Sequence, residues 1–342
     1  MRAAVLRVHG EAPSHGDHPD PVPAEGQSIV RVTAAPVVPL DLLCASGTSY
    51  FGPPEVPYVP GVQGVGVVEE SAVVTPGIKV FFATSAGMAP GDGSFAERCA
   101  VPDADLVALD TPVPDTEVAA IGLSGVAAWM VLSWRARLQP GERVVVLGGG
   151  GAVGQAAIGT ARVLGASRVV AVCRSDDARR RALAAGADEV ITPADRVPQD
   201  RADKTGGELA GQPADTTDLT ARLAEATGGA VDVIVDPVFG SVASAAARLL
   251  APGGRLVNLG GASGDEATFS SAILRSRSAS ILGYTNNAIT PDQRRDALTA
   301  VLRQAAAGAV TVAHETVALP DITAAWNRQS TGRTAGRLVL TL

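Results

Sequence analysis

The sequence of 342 residues has few aromatic residues, few cysteines and no excess of positive charge. Aromatic side chains make up 4% of it and hydrophobic residues 46%, so alanine, valine and leucine must fill its cores. Its three cysteines, Cys44, Cys99 and Cys173, are odd in number and scattered, which disfavours a disulfide framework or a Cys-x-x-Cys ligand pair. A formal net charge of −7 disfavours a nucleic-acid or anionic-membrane partner, because binding phosphates needs a concentrated basic face.

Long apolar runs are also scarce. Residues 1–8 alternate like a β-strand and lack the long apolar region of a signal peptide. No apolar run of about 18 residues predicts a membrane span. We therefore expect a cytoplasmic chain without a membrane partner, and its length favours two domains.

The pattern of the sequence changes near residue 119. Before it, short strands such as residues 28–33 and 64–70 lie between turns dense in proline and glycine, which is typical of a loop-rich β domain. After it, strands without polar alternation are separated by helices, which predicts a parallel sheet covered on both faces. The predicted strands are residues 143–147, 168–173, 187–191, 231–236, 255–259 and 280–283, with helices at 152–164 and 176–185.

Two further segments are a polar stretch at residues 193–218 and the C-terminal part of the chain. Residues 193–218 are polar and longer than a usual connection, which predicts an exposed loop. The C-terminal segment is predicted to add helices at 291–307 and 321–329 and strands at 310–317 and 337–342.

The most informative segment is VVVLGGGGAVG at residues 144–154. It satisfies the pattern G-x-G-x-x-G between a predicted strand and a predicted helix, the context in which that pattern indicates a dinucleotide site. We expect Gly149 to permit the tight turn, Gly151 to let a pyrophosphate approach and Gly154 to allow helix–strand packing. Free N–H groups at Ala152 and Val153 and the positive helix end would hold the phosphate charge. The alternative is a glycine-rich turn of another α/β protein.

The end of the second predicted strand distinguishes NADPH from NADH. NADH-preferring sites place an acid there, whereas this chain has Cys173-Arg174-Ser175. Arg174 and Ser175 can bind a 2′-phosphate by hydrogen bonds, with help from Arg179 and Arg180 on the next helix, so we predict NADPH. In the alternative, Arg174 is a solvated surface residue and Asp176 binds the ribose. We expect Asp176 or Asp177 instead to cap the helix.

Five segments in order make the chain resemble the medium-chain dehydrogenase/reductase superfamily, in its zinc-independent quinone oxidoreductase branch. They are the glycine segment and residues 38–41 (VPLD), 58–66 (YVPGVQGVG), 236–240 (DPVFG) and 250–256 (LAPGGRL). The resemblance implies an α/β fold with a GroES-like β-rich catalytic domain (residues 1–118 and 286–342). It also implies that a Rossmann doubly wound dinucleotide-binding domain (residues 119–285) is inserted into the catalytic domain.

The resemblance also implies that the chain binds no metal. Zinc-dependent relatives carry a cysteine and a histidine–glutamate pair where this chain has Val38, Val62 and Gln63, and no four-cysteine lobe is present. The histidines near the N-terminus, with Asp17, lack regular ligand spacing. Without zinc there is no Lewis acid to generate an alkoxide, which disfavours plain alcohol dehydrogenation.

Further site residues follow from the resemblance and from strand ends. Ser124 matches a hydroxyl residue that relatives place against the cofactor, although a small residue for close helix packing is the equal alternative. Tyr50 is the candidate proton donor by alignment with relatives, with a packing or lid role as the alternative. Ligands of parallel sheets collect at carboxyl strand ends and just beyond, which adds Val238, Phe239, Gly260, Gly261 and Asn286.

The predicted reaction is hydride delivery from NADPH to a quinone, an enone or another activated alkene, with a small apolar substrate. Two alternatives remain: a specialised biosynthetic reductase of enoyl type, and a structural protein that binds NADPH but turns over slowly. A redox-neutral reaction has little support, since no acid/base pair stands out. By analogy with the family we expect a homodimer that pairs through the strand at residues 280–283.

Overall fold

The computed structural model describes residues 1–193 and 216–342, which divide into two compact units. The first unit comprises Met1–Ser124, Thr290–Ala307 and Val312–Leu342, and the second comprises Gly125–Ile289 and Gly308–Thr311. Most of the predicted loop at residues 193–218 lies outside the described residues. Its last residues, from Thr216 onward, begin a helix.

The first unit is built mainly from antiparallel strands. Its elements are β1 (Arg2–Val5), β2 (Ser14–Asp17), β3 (Gln27–Pro36), α1 (Pro39–Ala45), β4 (Gln63–Glu70), β5 (Lys79–Ala83), β6 (Arg98–Pro102) and β7 (Leu106–Ala108). Helix α2 (Asp115–Met130) begins in this unit and continues into the second. Pro39 stands at the first position of α1, where its missing N–H costs no hydrogen bond.

The second unit contains the elements that hold the glycine segment. They are β8 (Arg143–Leu147), α3 (Ala152–Val163), β9 (Arg168–Val172), α4 (Asp176–Ala184), β10 (Glu189–Ile191), α5 (Thr216–Thr227), β11 (Val231–Asp236), α6 (Gly240–Ala247), β12 (Leu250–Asn258), α7 (Ser271–Arg277) and β13 (Ser280–Gly283). The strands are parallel, in the order β10-β9-β8-β11-β12-β13. This is the strand order of a doubly wound dinucleotide-binding sheet.

The C-terminal segment returns to the first unit. It forms α8 (Pro291–Ala306), β14 (His314–Ala318), α9 (Ile322–Ser330) and β15 (Arg337–Thr341), and the main sheet of this unit has the order β14-β15-β3-β4-β5-β7. The predicted strand at residues 310–317 starts too early. Residues Gly308–Thr311 belong to the second unit, where Val310 lies against Gly159 of α3, so the strand begins only at His314.

Each unit buries its own core. In the first, side chains of the β-strands and of α9 meet, among them Val30, Phe82 and Trp326. In the second, Val145, Leu147, Val170 and Val172 alternate along two strands and pack against α5 and α6. The first unit has a β-rich sheet, and the second has a parallel sheet with helices. This confirms the predicted α/β fold class.

One helical stretch, Asp115–Arg135, is apolar and long enough by composition to cross a membrane, which the sequence prediction did not anticipate. In its most apolar window, 67% of it is buried within the protein. A core helix that is mostly buried passes the same test of length and composition, because a helix buried on all sides is apolar on all sides.

Candidate functional site

The turn between β8 and α3 carries the glycines. We call Gly148–Gly151 the glycine cradle. The left-handed backbone that the tight turn requires belongs to Gly148, with φ of +65°, and not to Gly149, to which the sequence assigned it. A Cβ on Gly148 would also lie 2.9 Å from Cγ1 of Val238, so this turn touches the end of β11.

The other glycines differ in what surrounds them. A Cβ on Gly149 would lie 2.6 Å from Cβ of Ala171, one on Gly150 2.4 Å from Cβ of Ala178, and one on Gly154 2.3 Å from the oxygen of Gly148. These three positions are closed by packing. A Cβ on Gly151 would meet only the oxygen of Gly148, at 3.4 Å. Gly151 is therefore the open side of the glycine cradle.

Helix α3 begins at this open side. Gly151 is its N-cap and has no side chain to satisfy the first N–H groups, which include those of Ala152 and Val153. These N–H groups and the helix dipole together favour a negative charge. The chemistry of the glycine cradle therefore fits a pyrophosphate.

The end of β9 presents a mixed charge pattern to solvent. Arg174, Ser175, Asp176 and Asp177 are all exposed after the buried Cys173. The N-cap of α4 is Ser175, whose hydroxyl accepts a hydrogen bond from the N–H of Ala178 at 3.2 Å. The prediction that an aspartate caps this helix is therefore wrong. Both aspartates lie in the first turn, and the hydroxyl proton of Ser175 has no acceptor among the described residues, so it can be donated to a ligand.

The arginines around α4 have different partners. Arg179 donates to the oxygen of Val190 at 2.8 Å, Arg180 pairs with Asp177, and Arg181 donates to the oxygen of Gly150 at 2.9 Å. Arg181 thus supports the glycine cradle, a role that no sequence motif indicated. Arg174 makes no side-chain bond or ion pair within the described residues. As far as the described residues show, its guanidinium can take a phosphate without losing a partner.

The end of β11 is a strained turn. The buried Asp236 accepts hydrogen bonds from the N–H groups of Val238 and Phe239, at 3.1 and 2.7 Å. Phe239 has φ of +58° and ψ of −155°, a conformation normally confined to glycine. Burial raises the pKa of Asp236, while the two N–H donors and Asn258 oppose the rise. Strain of this kind persists only where the surroundings fix it, and here Asp236 does so.

The remaining predicted residues of this unit follow β12 and β13. Gly260 lies close to the oxygen of Pro237 and Gly261 close to Oδ1 of Asp265, so neither position has room for a side chain. Asn258 donates to the oxygen of Gly260 at 2.8 Å. Asn286 accepts a hydrogen bond from the hydroxyl of Tyr284 at 2.7 Å. The ends of β8, β11 and β12 lie side by side in the sheet, which brings their turns to one edge.

In the first unit, a buried carboxylate organises the loops that precede β4. Asp41 accepts hydrogen bonds from the N–H groups of Val38 and Val62, at 2.8 and 3.0 Å. Burial raises the pKa of Asp41 to about 7, although these donors and the charge of Arg337 pull it down. Asp41 thus orders the segments around Val38 and Val62 through hydrogen bonds.

Two further contacts hold α2 just after a break in the middle of the helix. The helix is interrupted at Gly122, with φ of +28°, and the N–H of Leu123 donates to Oε1 of Gln63 at 2.7 Å. Ser124 is buried, and its hydroxyl accepts a hydrogen bond from Nη2 of Arg337 at 2.8 Å. Sequence reasoning missed Arg337, because nothing in the local sequence of β15 indicates its distant partner.

The predicted proton donor Tyr50 is 79% exposed, and its ring lies against Phe51 with centroids 4.1 Å apart. Tyr58, by contrast, is buried, and its hydroxyl has no hydrogen-bond partner among the described residues.

The positions where zinc-dependent relatives place ligands do not fit a metal. Val38 and Val62 are buried hydrocarbon side chains, and the carboxamide oxygen of Gln63 already accepts the N–H of Leu123. The histidines near the N-terminus, which are potential metal ligands, have other partners. His9 contacts the oxygen of Pro54, and His18 contacts Asp92. No group of three or more His, Cys, Asp or Glu side chains with metal-binding geometry occurs in the described ranges.

The buried Asp41 predicts a pH-dependent stability. Because its pKa is raised in the folded protein, the proton stabilises the fold, and this stabilisation is lost as the pH rises from about 4 through about 7. We expect a decrease in the free energy of unfolding on the order of a few kcal/mol across that window. Denaturant unfolding of the wild type and of Asp41→Asn at several pH values measures it. Equal slopes in the two proteins would contradict the assignment.

Comparisons with known proteins agree with this geometry. Residues 24–112 match the family model described as "Alcohol dehydrogenase GroES-like domain", and residues 152–307 match "Zinc-binding dehydrogenase". The chain is 28% identical to a quinone oxidoreductase of Lama guanicoe over 244 residues, 70% of this chain and 66% of that protein. A solved quinone oxidoreductase of Thermus thermophilus, studied also in complex with NADPH, is 27% identical with a TM-score of 0.76 over the full length of both chains.

A longer protein also matches. The chain is 30% identical over 329 residues to a phenolphthiocerol/phthiocerol polyketide synthase protein of Mycobacterium tuberculosis. The match takes in 94% of this chain but 14% of that synthase protein. The chain therefore corresponds to one part of a much larger protein in this comparison, and to about two thirds of the llama protein.

Proposed function

The chain belongs to the medium-chain dehydrogenase/reductase superfamily, in its quinone-oxidoreductase-like branch, and on this premise we propose that it is an NADPH-dependent, zinc-independent oxidoreductase. Its substrate would be a quinone, an enone or another activated alkene. The observation that carries the proposal is the open glycine cradle at the start of α3, together with Arg174 at the end of the next strand, whose side chain has no partner among the described residues. Together they fit a pyrophosphate and a 2′-phosphate.

When bound, NADPH supplies the hydride, and the protein supplies orientation and electrostatics. The first-turn N–H groups of α3 would hold the pyrophosphate. The 2′-phosphate would be bound by Arg174 and Ser175. The rigid turn at Val238 and Phe239, fixed by Asp236, would form one wall of the nucleotide site. The Ser124 hydroxyl would donate a hydrogen bond to a carbonyl oxygen.

The substrate anion left after hydride transfer must take up a proton. Tyr50 would deliver it from its phenol oxygen, and its exposure lets it regain a proton directly from water. The Phe51 ring, which lies against Tyr50, and Leu43 on α1 are both apolar and partly exposed. Such a surface fits an uncharged, bulky substrate and not a phosphorylated one.

The polyketide synthase match favours one second candidate. A region of similar length within that longer polyketide synthase protein would act on an intermediate of the synthase, so reduction of an enoyl thioester is the alternative reaction. It uses the same cofactor residues and differs in the substrate alone. A slow-turnover protein that binds NADPH is the remaining alternative.

Steady-state oxidation of NADPH, followed by absorbance, tests the proposal. The panel contains quinones, enones and enoyl thioesters, with NADH and a metal chelator as controls. We expect turnover with NADPH, weaker turnover with NADH and no effect of the chelator. Turnover restricted to the thioesters would favour the synthase-type reaction. Binding of NADPH without turnover would favour the slow-turnover protein that binds NADPH. Loss of activity with the chelator would contradict zinc independence.

We also propose a homodimer through β13, the last strand of the parallel sheet in the described part of the chain. Its residues Ser280–Gly283 are partly or fully exposed, so pairing with a second copy would cover an open edge. Analytical ultracentrifugation at micromolar concentration decides this, and a monomer would rule it out.

A further inference from the structure

Ser124 has an unusual hydrogen-bond pattern for a serine in a helix. A helical serine hydroxyl commonly donates to the carbonyl four residues earlier, as Ser133 does to the oxygen of Trp129 at 2.7 Å. Ser124 instead accepts from Arg337, and its own proton has no acceptor within residues 1–193 and 216–342. A buried hydroxyl group that accepts a hydrogen bond from a cation and donates none can donate its proton to a hydrogen bond with a ligand.

The guanidinium of Arg337 is itself held in place. Its Nη1 donates to the oxygen of Val37 at 3.2 Å while Nη2 donates to Ser124, so one planar group joins the end of β3 to α2. The buried charge of Asp41 attracts it further. A hydrogen bond from a cation is stronger than a neutral one, and it also polarises the O–H that it reaches.

The backbone before Ser124 is fixed from the other side. The break at Gly122 frees the N–H of Leu123, which Gln63 accepts. A Cβ on Gly122 would lie 2.2 Å from the Gln63 oxygen, so this contact requires glycine. Ser124 is thus positioned by Gln63 through the backbone and by Arg337 through its oxygen.

We propose that Arg337 is a positioning residue for the reaction, which orients the Ser124 hydroxyl as a hydrogen-bond donor to a carbonyl oxygen. That oxygen belongs either to the carboxamide of the nicotinamide or to the substrate. The inference rests on the proposed function, because it needs a ligand with such an oxygen. Arg337 acts through Ser124 and does not itself contact the reacting atoms.

A double-mutant cycle of Ser124→Ala and Arg337→Met tests this, with Arg337→Lys as the conservative variant. We expect each single change to lower kcat/KM for NADPH oxidation by about tenfold or more, the effect of losing one charge-assisted hydrogen bond. The double variant is expected to be no slower than Ser124→Ala, because Arg337 has nothing left to position. Lysine should restore part of the activity, since its ammonium can reach one of the two acceptors.

Three measurements separate the outcomes. A change in the Kd of NADPH for Ser124→Ala indicates the carboxamide oxygen, and a change in kcat/KM alone indicates the substrate oxygen. Additive effects in the double variant, or a lowered Tm with unchanged kinetics, would overturn the positioning role. If the wild type oxidises NADPH and Ser124→Ala is equally active, this inference alone fails. If the wild type neither binds nor oxidises NADPH, the proposed function fails first and this inference with it.

Discussion

Gly154→Ala is expected to destabilise the protein and to abolish NADPH binding. The new Cβ would lie 2.3 Å from the oxygen of Gly148 and 2.6 Å from Cα of Gly149, and both are backbone atoms that cannot rotate away. Helix α3 must therefore move off the glycine cradle, at a cost of about 3 kcal/mol in the free energy of unfolding. Denaturant unfolding and calorimetric titration with NADPH measure the two effects.

Gly151→Ala is the matched control from the same turn. Its φ of −77° suits alanine, and the nearest atom to the new Cβ is 3.4 Å away. We expect the stability to fall by less than about 1 kcal/mol. The Kd of NADPH should nevertheless rise by about tenfold or more, because the methyl group occupies the side from which the pyrophosphate approaches. Unchanged binding in Gly151→Ala would contradict the location of the pyrophosphate.

Arg174→Ala is expected to remove the preference for NADPH. The exposed guanidinium has no partner in the described part of the chain, so its loss should leave the stability within about 0.5 kcal/mol of the wild type. The Kd of NADPH should rise by about ten- to hundredfold, the effect of one charge-assisted contact to phosphate. The Kd of NADH should stay within about twofold, because NADH has no 2′-phosphate.

Arg180→Ala serves as the control for a general charge effect. Arg180 is exposed on α4 and pairs with Asp177 one turn away. Its removal should change the Kd of either nucleotide by no more than about twofold, because exposed ion pairs contribute little. If Arg174→Ala weakened both nucleotides equally, the arginine would bind something common to them. If Asp176→Ala weakened the binding of NADH alone, this would support the alternative in which Asp176 binds the ribose.

Local sequence signals predicted the nucleotide-binding fold well. The apolar run of β8, the glycines after it and the helical pattern of α3 are contiguous, so each element is specified by its own residues. Gly165, with φ of +88°, follows α3 in the left-handed conformation that commonly ends a helix. The segments 231–236 and 280–283 were predicted to be strands with the bounds that the structure has.

Features that depend on tertiary contacts were predicted poorly. Which glycine takes the positive φ depends on how β8 meets β11, and the sequence pattern alone placed it one residue too late. The cap of α4 is Ser175 because the helix begins one residue after it, a boundary finer than periodicity resolves. Arg337 and Ser124 are brought together by folding across most of the chain, and no local motif could have paired them.

The most direct test of hydride transfer is a reaction of the wild-type protein with NADPH that carries deuterium at C4 of the nicotinamide. An enone is the acceptor, because its β-carbon keeps a transferred label. Mass spectrometry of the reduced product should show one deuterium when one face of the nicotinamide is labelled and none when the other face is. Reduced product without deuterium from either labelled form, or no oxidation of NADPH with any acceptor, would contradict an NADPH-dependent oxidoreductase.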